Sequence, residues 1–155
     1  MKFKAITAAI LSACALEAQA LDIDHCPLPQ HIKNTLGIYT APTVSRKGQW
    51  IGTASASRTA ADDRYSTAAV SAFQGAVFYT TEQNGTSRGV LSRCMYLNDS
   101  RERLDLYYRP DVRPDLAVKL LDLKHWKLQP ATSTGLVTYV CKNKQQGGCV
   151  FGVVE

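Results

Sequence analysis

Residues 73–109 read FQGAVFYTTEQNGTSRGVLSRCMYLNDSRERLDLYYR. The first nine are rich in aromatic and β-branched side chains, which suit a pleated, half-buried surface. Asn84-Gly85 follows inside a polar run. Both residues tolerate positive φ, a strong short-range hairpin signal. On the return, Val90, Ser92, Cys94 and Tyr96 alternate with Leu91, Arg93, Met95 and Leu97. Asn98-Asp99-Ser100 has the composition of a second turn, because short polar side chains bond their own backbone. Leu104, Leu106 and Tyr108 then share one face of a third strand, with Asp105, Tyr107 and Arg109 on the other. Pro110 has no N–H to donate and ends the ladder. A 3.6-residue period fits the stretch poorly. The expectation is a three-stranded antiparallel meander.

Upstream, residues 21–26 (LDIDHC) read as a short lead-in. Pro27 and Pro29 precede one or two helical turns that stop near Gly37. Residues 37–41 and 49–53 read as strands of a hairpin joined by a basic turn. The Ala/Ser/Thr-rich residues 54–72 carry Tyr65, Ala68 and Ala72 at helical spacing, with a helix start at Thr59, Asp62 and Asp63, and read as a short helix with an exposed connecting loop as the alternative. Downstream, Pro114-Asp115 opens a helix that carries Leu116, Leu120 and Leu123 and runs to about Lys124. Trp126, Lys127 and Leu128 open a strand. Residues 136–141 and 149–154 read as a last hairpin.

The chain has 155 residues, one domain's worth. Residues 1–20 have the form of a secretory signal. Lys2 and Lys4 precede an apolar run too short to span a bilayer, and Ala18-Gln19-Ala20 is a small-x-small cleavage site. A second reading takes Leu11-Ser12-Ala13-Cys14 as a lipoprotein box with a lipid anchor on Cys14; the short apolar run before it favours simple cleavage. Either way the product is periplasmic or secreted. Cleavage removes Lys2, Lys4 and Glu17, which lowers the formal net charge from +5 to +4. The basic residues are interspersed with acids, which reads as a mixed solvated surface with no nucleic-acid partner.

Cys26, Cys94, Cys141 and Cys149 remain after cleavage. An even count in an exported chain implies two disulfides, with three possible connectivities. Cys141–Cys149 is preferred because residues 142–148 (KNKQQGG) form a polar turn, which leaves Cys26 to pair with Cys94. No C-x-x-C spacing is present, so bridges are preferred over a metal site or thiol catalysis. A zinc site from His25, His31 and Asp22 or Asp24 would sit on the lead-in, and no metal or cofactor is assigned. His25 and Cys26 are adjacent, so in extended chain they point to opposite faces and cannot act as a thiol–base pair.

No nucleophile elbow, zincin, P-loop or dinucleotide motif occurs. The carboxylate pairs Asp62/Asp63 and Asp111/Asp115 leave a cell-wall or polysaccharide hydrolase as an alternative. Aromatic residues are the better candidates. Tyr107 and Arg109 fall on the outward side of the third strand, and Trp50 joins them as a ligand-binding candidate, with core packing the competing reading for each tryptophan. Loops 43–48 and 142–148 are the candidates for an inhibitor or immunity-type protein.

An ordered pattern runs through Cys26-Pro27 with Ile32, Tyr39-Thr40-Ala41-Pro42, Gly48-Gln49-Trp50, Phe73-x-x-Ala76, Arg93-Cys94-x-Tyr96, Trp126, Cys141 and Cys149-x-Phe151. It resembles small exported proteins of gammaproteobacteria, Legionella-like species included, in a domain family of unknown function. The resemblance implies a Cys-stapled scaffold in the envelope or outside the cell and assigns no active residues. The fold expected is α+β: one domain, residues 21–155, dominated by an antiparallel sheet of six to eight strands, with two or three short helices on one face. The function expected is a non-enzymatic binding module for a protein or envelope glycan.

Overall fold

The computed structural model describes residues 21–46, 48–54, 66–84, 87–110 and 117–154. They form eleven strands of one sheet: β1 (Asp22–His25), β2 (Lys33–Thr35), β3 (Ile38–Pro42), β4 (Gly48–Ala54), β5 (Val70–Thr80), β6 (Gly89–Asn98), β7 (Arg103–Pro110), β8 (Ala117–Leu120), β9 (Trp126–Leu128), β10 (Val137–Cys141) and β11 (Val150–Val154). The meander expected from residues 73–109 is β5–β6–β7, with β5 starting three residues earlier.

The α+β expectation is corrected to mostly β. Only two three-residue 3-10 turns interrupt the strands among the described residues, Pro29–His31 and Leu123–His125. The turn expected after Pro29 stops at His31, because residue 33 onward pairs with β3. The helix expected to run to Lys124 is instead strand β8 over Ala117–Leu120, followed by the Leu123–His125 turn. Val118 and Leu120 are buried and Lys119 is exposed, the two-residue alternation of a sheet edge packed on one side. The start of that helix and residues 55–65 of the other lie outside the described residues; from Val70 the latter stretch is already β5. The last hairpin does not form either. β10 pairs with β5 and β9, whereas β11 pairs with β8 and β1. The disulfide holds the strand ends together while the strands leave for different neighbours.

Eight strands make one continuous layer in the order β9-β10-β5-β6-β7-β4-β3-β2. One cross-strand row runs through it: Trp126, Cys141, Ala76, Cys94, Leu106, Gly52, Tyr39 and Asn34. All but Asn34 are buried, so this row marks the inner face. An added Cβ at Gly52 would collide with the Asp105 carbonyl, so only glycine lets β4 lie this close to β7. β5 shifts register three times along β6; at one shift Gly75 adopts φ +151°, where an L side chain is strained.

The free edge of β6 forks. Residues 94–97 pair with β7, and Gly89 pairs with Val118 of β8. The arm β8-β11-β1 therefore turns back across the inner face. Phe151 of β11 lies 5.5 Å from Tyr108 and 6.2 Å from Trp50, edge to face with both. Two disulfides join the layers. Cys94 and Cys141 flank Ala76 on the inner row. Cys26 and Cys149 extend the His25–Val150 pair at the end of β1 and β11. The bridges Cys26–Cys94 and Cys141–Cys149 thus stand side by side. The buried Tyr96 hydroxyl donates to the Pro27 carbonyl at 2.7 Å and fixes the chain just beyond Cys26; burial raises its phenol pKa.

The lead-in expected at residues 21–26 is instead a strand, β1, and its alternation runs against hydrophobicity. Asp24 is fully buried and Ile23 is 56% exposed. The bridge explains the inversion: Cys26 must face Cys94, and Asp24 shares its parity. Asp24 Oδ1 accepts from the His25 N–H at 2.9 Å and the Val44 N–H at 3.1 Å. Its buried Oδ2 has no partner among the described residues. Burial holds the carboxyl above its usual range, outweighing the N–H groups of Val44 and His25 that pull it down. A raised folded pKa means the native state protonates first. This group's stabilisation is therefore greatest in acid and is lost as pH rises through the folded pKa. Asp24→Asn is expected to melt higher than wild type at about pH 7, with the gap closing toward about pH 4, the ordinary carboxyl value. The difference between the two proteins cancels other groups, such as Glu102, which hydrogen bonds from Asn98 and Ser66 shift the opposite way. A lower midpoint for the variant at neutral pH would show that the ionised carboxylate stabilises the fold.

Candidate binding face

The outer face of the eight-stranded layer is built from the residues between the core positions. One row across it reads Lys127, Val140, Val77, Arg93, Tyr107, Ile51, Thr40 and Lys33. Continuing the Cys94–Leu106 register by one step places Arg93 opposite Tyr107. A parallel row reads Gly75, Met95, Asp105, Thr53, Ile38 and Thr35. Gln49 and Arg109 face each other one step beyond Tyr107. Lys33, Ile38, Gln49, Thr53, Tyr107, Arg109 and Lys127 are all exposed.

Asp105 anchors the charges at the middle of this face. Its Oδ1 accepts from Arg103 Nε at 3.2 Å, its Oδ2 accepts from Arg103 Nη2 at 3.3 Å, and Arg93 Nε approaches Oδ2 at 3.4 Å. Two guanidinium groups therefore share one carboxylate. Gly75 and Val77 in these rows are buried, and Tyr107 is the one exposed aromatic ring of this face among the described residues, at 41%.

The three ligand-binding candidates of the sequence are divided by the fold. Tyr107 and Arg109 stand on the outer face. Trp50 is fully buried on the inner face, 5.1 Å from Tyr108. Their positions follow from strand parity, since Trp50 pairs with Tyr108 and not with Tyr107. Gln49, Arg93 and Lys127 were not singled out by the sequence; only the cross-strand register places them on the same face as Tyr107, with Lys127 four strands away.

Other candidates are placed differently. His25 Nδ1 donates to the Cys26 carbonyl at 2.8 Å, and Cys26 is committed to its bridge. No group of three or more metal-ligating side chains occurs among the described residues. The carboxylate pairs Asp62/Asp63 and Asp111/Asp115 lie outside the described residues. The 43–48 turn is tied down: Thr43 Oγ1 donates to the Gly48 carbonyl at 3.0 Å, and Val44 is held by Asp24. The 142–148 turn is closed by the Gly148 N–H on the Gln145 carbonyl at 2.9 Å and by the bridge beneath it. Beside both disulfides, Pro27, Leu28, Phe73, Lys144 and Gln145 line a hollow of about 40 Å³, room for roughly two or three waters.

Residues 18–152 match a protein family described as a protein of unknown function, DUF3757. The chain belongs to that family. The match covers both bridges and every strand but the tail of β11, so the stapled sheet and its outer face lie within the family's domain. No curated protein and no solved structure matches the chain. No helix of the described residues is long and apolar enough to cross a membrane. The two disulfides are consistent with an oxidising, extracytoplasmic environment.

Proposed function

We propose that the protein is an exported binding module that engages its partner through the outer face around Tyr107 and Arg109. Residues 1–20 act as the export signal, and the mature domain works in the periplasm or outside the cell, in the manner of the small exported gammaproteobacterial proteins it resembles. The observation that carries this reading is the exposed outer face itself. Tyr107 and Ile38 stay accessible at 41% and 46%, with polar Gln49, Thr53 and Arg109 beside them. An aromatic ring set among hydrogen-bonding groups on a rigid sheet is a common recognition surface for proteins and glycans. Because the sheet is stapled and strand-built, the face needs little ordering on binding.

Capture from native envelope and culture supernatant, with the oxidised protein as bait, tests the reading. Wild type is expected to retain a partner that the double variant Tyr107→Ala/Arg109→Gln loses by about tenfold or more, as expected for an interface centre. Both side chains are exposed, so the variant should melt within a few degrees of wild type. Equal capture by wild type and double variant would refute the assignment of this face.

A further inference from the structure

We propose that the ligand of this face is an anionic polysaccharide, a glycan chain bearing carboxylate, sulfate or phosphate groups. This rests on the reading of the outer face as the binding surface. The strands of the eight-stranded layer contain five basic residues, Lys33, Arg93, Arg103, Arg109 and Lys127, and a single acid, Asp105. Lys142, just after β10, lies on the same side, its Cγ 3.6 Å from where a Cβ on Gly75 would stand. Six cations against one carboxylate leave an excess of five on this face, as large as the formal net charge of the entire chain, +5. The described strands of this layer therefore carry a basic excess, although the sequence reads as mixed. An excess of this kind raises the local concentration of anions and steers their approach.

The spacing of the cations selects a polymer. With strands about 4.8 Å apart, Lys127 and Arg93 lie roughly 14 Å from each other, and Arg93 and Lys33 roughly 19 Å. Arg93 and Arg103 meet at Asp105, which occupies them, while Lys33, Arg109 and Lys127 stand on three different strands. They line a track about 34 Å long across the strands. The centre of the track selects a glycan. Tyr107 offers one ring face for stacking on a sugar, and Thr40, Thr53 and Gln49 offer hydroxyl and amide groups for its hydroxyls. Sequence-neutral binding of single-stranded nucleic acid uses a series of stacking rings, and this track has one exposed ring among the described residues. A membrane surface would be met by apolar side chains in the middle of the patch, whereas the exposed Leu36 and Ile38 sit at its β2–β3 end and Val90 at the start of β6.

The test compares polygalacturonate with its fully methyl-esterified form, which has the same sugar without the charge, and adds anionic phosphatidylglycerol vesicles and a single-stranded oligonucleotide. The full-length protein, purified oxidised after export, is expected to bind polygalacturonate at least about tenfold more tightly than the ester, and to lose about tenfold or more of that affinity between about 50 and 200 mM salt. Lys33→Gln/Arg109→Gln/Lys127→Gln is expected to weaken binding by about tenfold or more and to flatten the salt dependence. Lys119→Gln/Lys124→Gln, which removes two cations elsewhere, should bind like wild type. Tyr107→Ala should weaken binding with the salt slope unchanged. Equal binding of the ester, tighter binding of vesicles or oligonucleotide, or equal effects of the two charge variants would each overturn the proposal. If Tyr107→Ala/Arg109→Gln abolishes envelope capture and polygalacturonate does not bind, the face keeps its role and only the anionic glycan is refuted. If neither capture nor polymer binding responds to substitutions on this face, both readings fail.

Discussion

Full reduction of the protein is expected to lower its melting midpoint by about 20 °C or more. The loop closed by Cys26–Cys94 spans 68 residues and that of Cys141–Cys149 spans 8. On the chain-entropy model such loops stabilise by about 4 and about 2.5 kcal/mol. Total stability of a domain this size is only about 5–15 kcal/mol, so the pair accounts for a large share. The bridges also stand side by side between the two layers, and without them the arm β8-β11-β1 is joined to the larger layer by sheet pairing at only Gly89 and Val118. Cys94 and Cys141 have no exposed surface, which shields them from reductant in the native state. The protein must therefore be reduced in denaturant, refolded and checked by thiol titration before melting. Cys26→Ala/Cys94→Ala is expected to cost more than Cys141→Ala/Cys149→Ala, in the order of loop length. An unchanged midpoint with all thiols titratable would remove the disulfides from the account of stability.

Much of the sheet was legible because it advertises itself locally. Cys94 to Leu97 alternates as read, whereas a register shift at Ser92 puts Leu91 on the buried side with Cys94 and Tyr96, against the expected alternation; Leu104, Leu106 and Tyr108 fix the parity of β7. The helices were misread where two periods share residues. Leu116, Leu120 and Leu123 suit a helix, and Val118 with Leu120 suits a strand; a four-residue strand is too short for the pattern to decide. Its partners, Phe151 and Val153, lie some thirty residues away in sequence. β1 was misread for a different reason. Asp22 and Asp24 look like solvent positions, yet a covalent bond two residues on dictates which side of β1 faces the core. The last hairpin failed because a short disulfide between two strand-like runs looks the same whether the strands pair or diverge.

The candidate face was legible one strand at a time. Alternation placed Tyr107 and Arg109 outward and needed no partner strand. The charge excess was not legible, because Arg93, Arg103, Arg109, Lys127 and Lys33 are spread over ninety-five positions and interleaved with acids such as Asp99, Glu102 and Asp122. Those acids sit in turns and at strand ends, while the cations sit within strands. Pairing the eight strands brings these cations onto one layer and leaves Asp99, Glu102 and Asp122 outside its strands, an outcome set by topology and invisible to composition.

Trp50→Ala is expected to cost about 3–5 kcal/mol, the range for emptying a large buried aromatic site, and to lower the midpoint by about 10–20 °C. The indole is fully buried in the middle of β4. It lies 5.1 Å from the Tyr108 ring in its own layer and 6.2 Å from Phe151 in the arm, so one substitution removes an aromatic contact within the sheet and one between the layers. Tyr108 and Phe151 still touch each other at 5.5 Å, and the strands around them are pinned by backbone pairing, so the cavity has little room to collapse. The buried Nε1 has no acceptor among the described residues, so no hydrogen bond within them is lost with the ring. Trp50→Phe, which keeps an aromatic face against both neighbours, should therefore cost clearly less than Trp50→Ala. Tyr107→Ala, one strand over and on the opposite face, should change stability by less than about 0.5 kcal/mol while affecting binding. The two substitutions separate core from surface: the first acts on the melt and the second on the ligand. A Trp50→Ala protein that melts like wild type but no longer captures its partner would place the indole in the binding surface and contradict its assignment to the core.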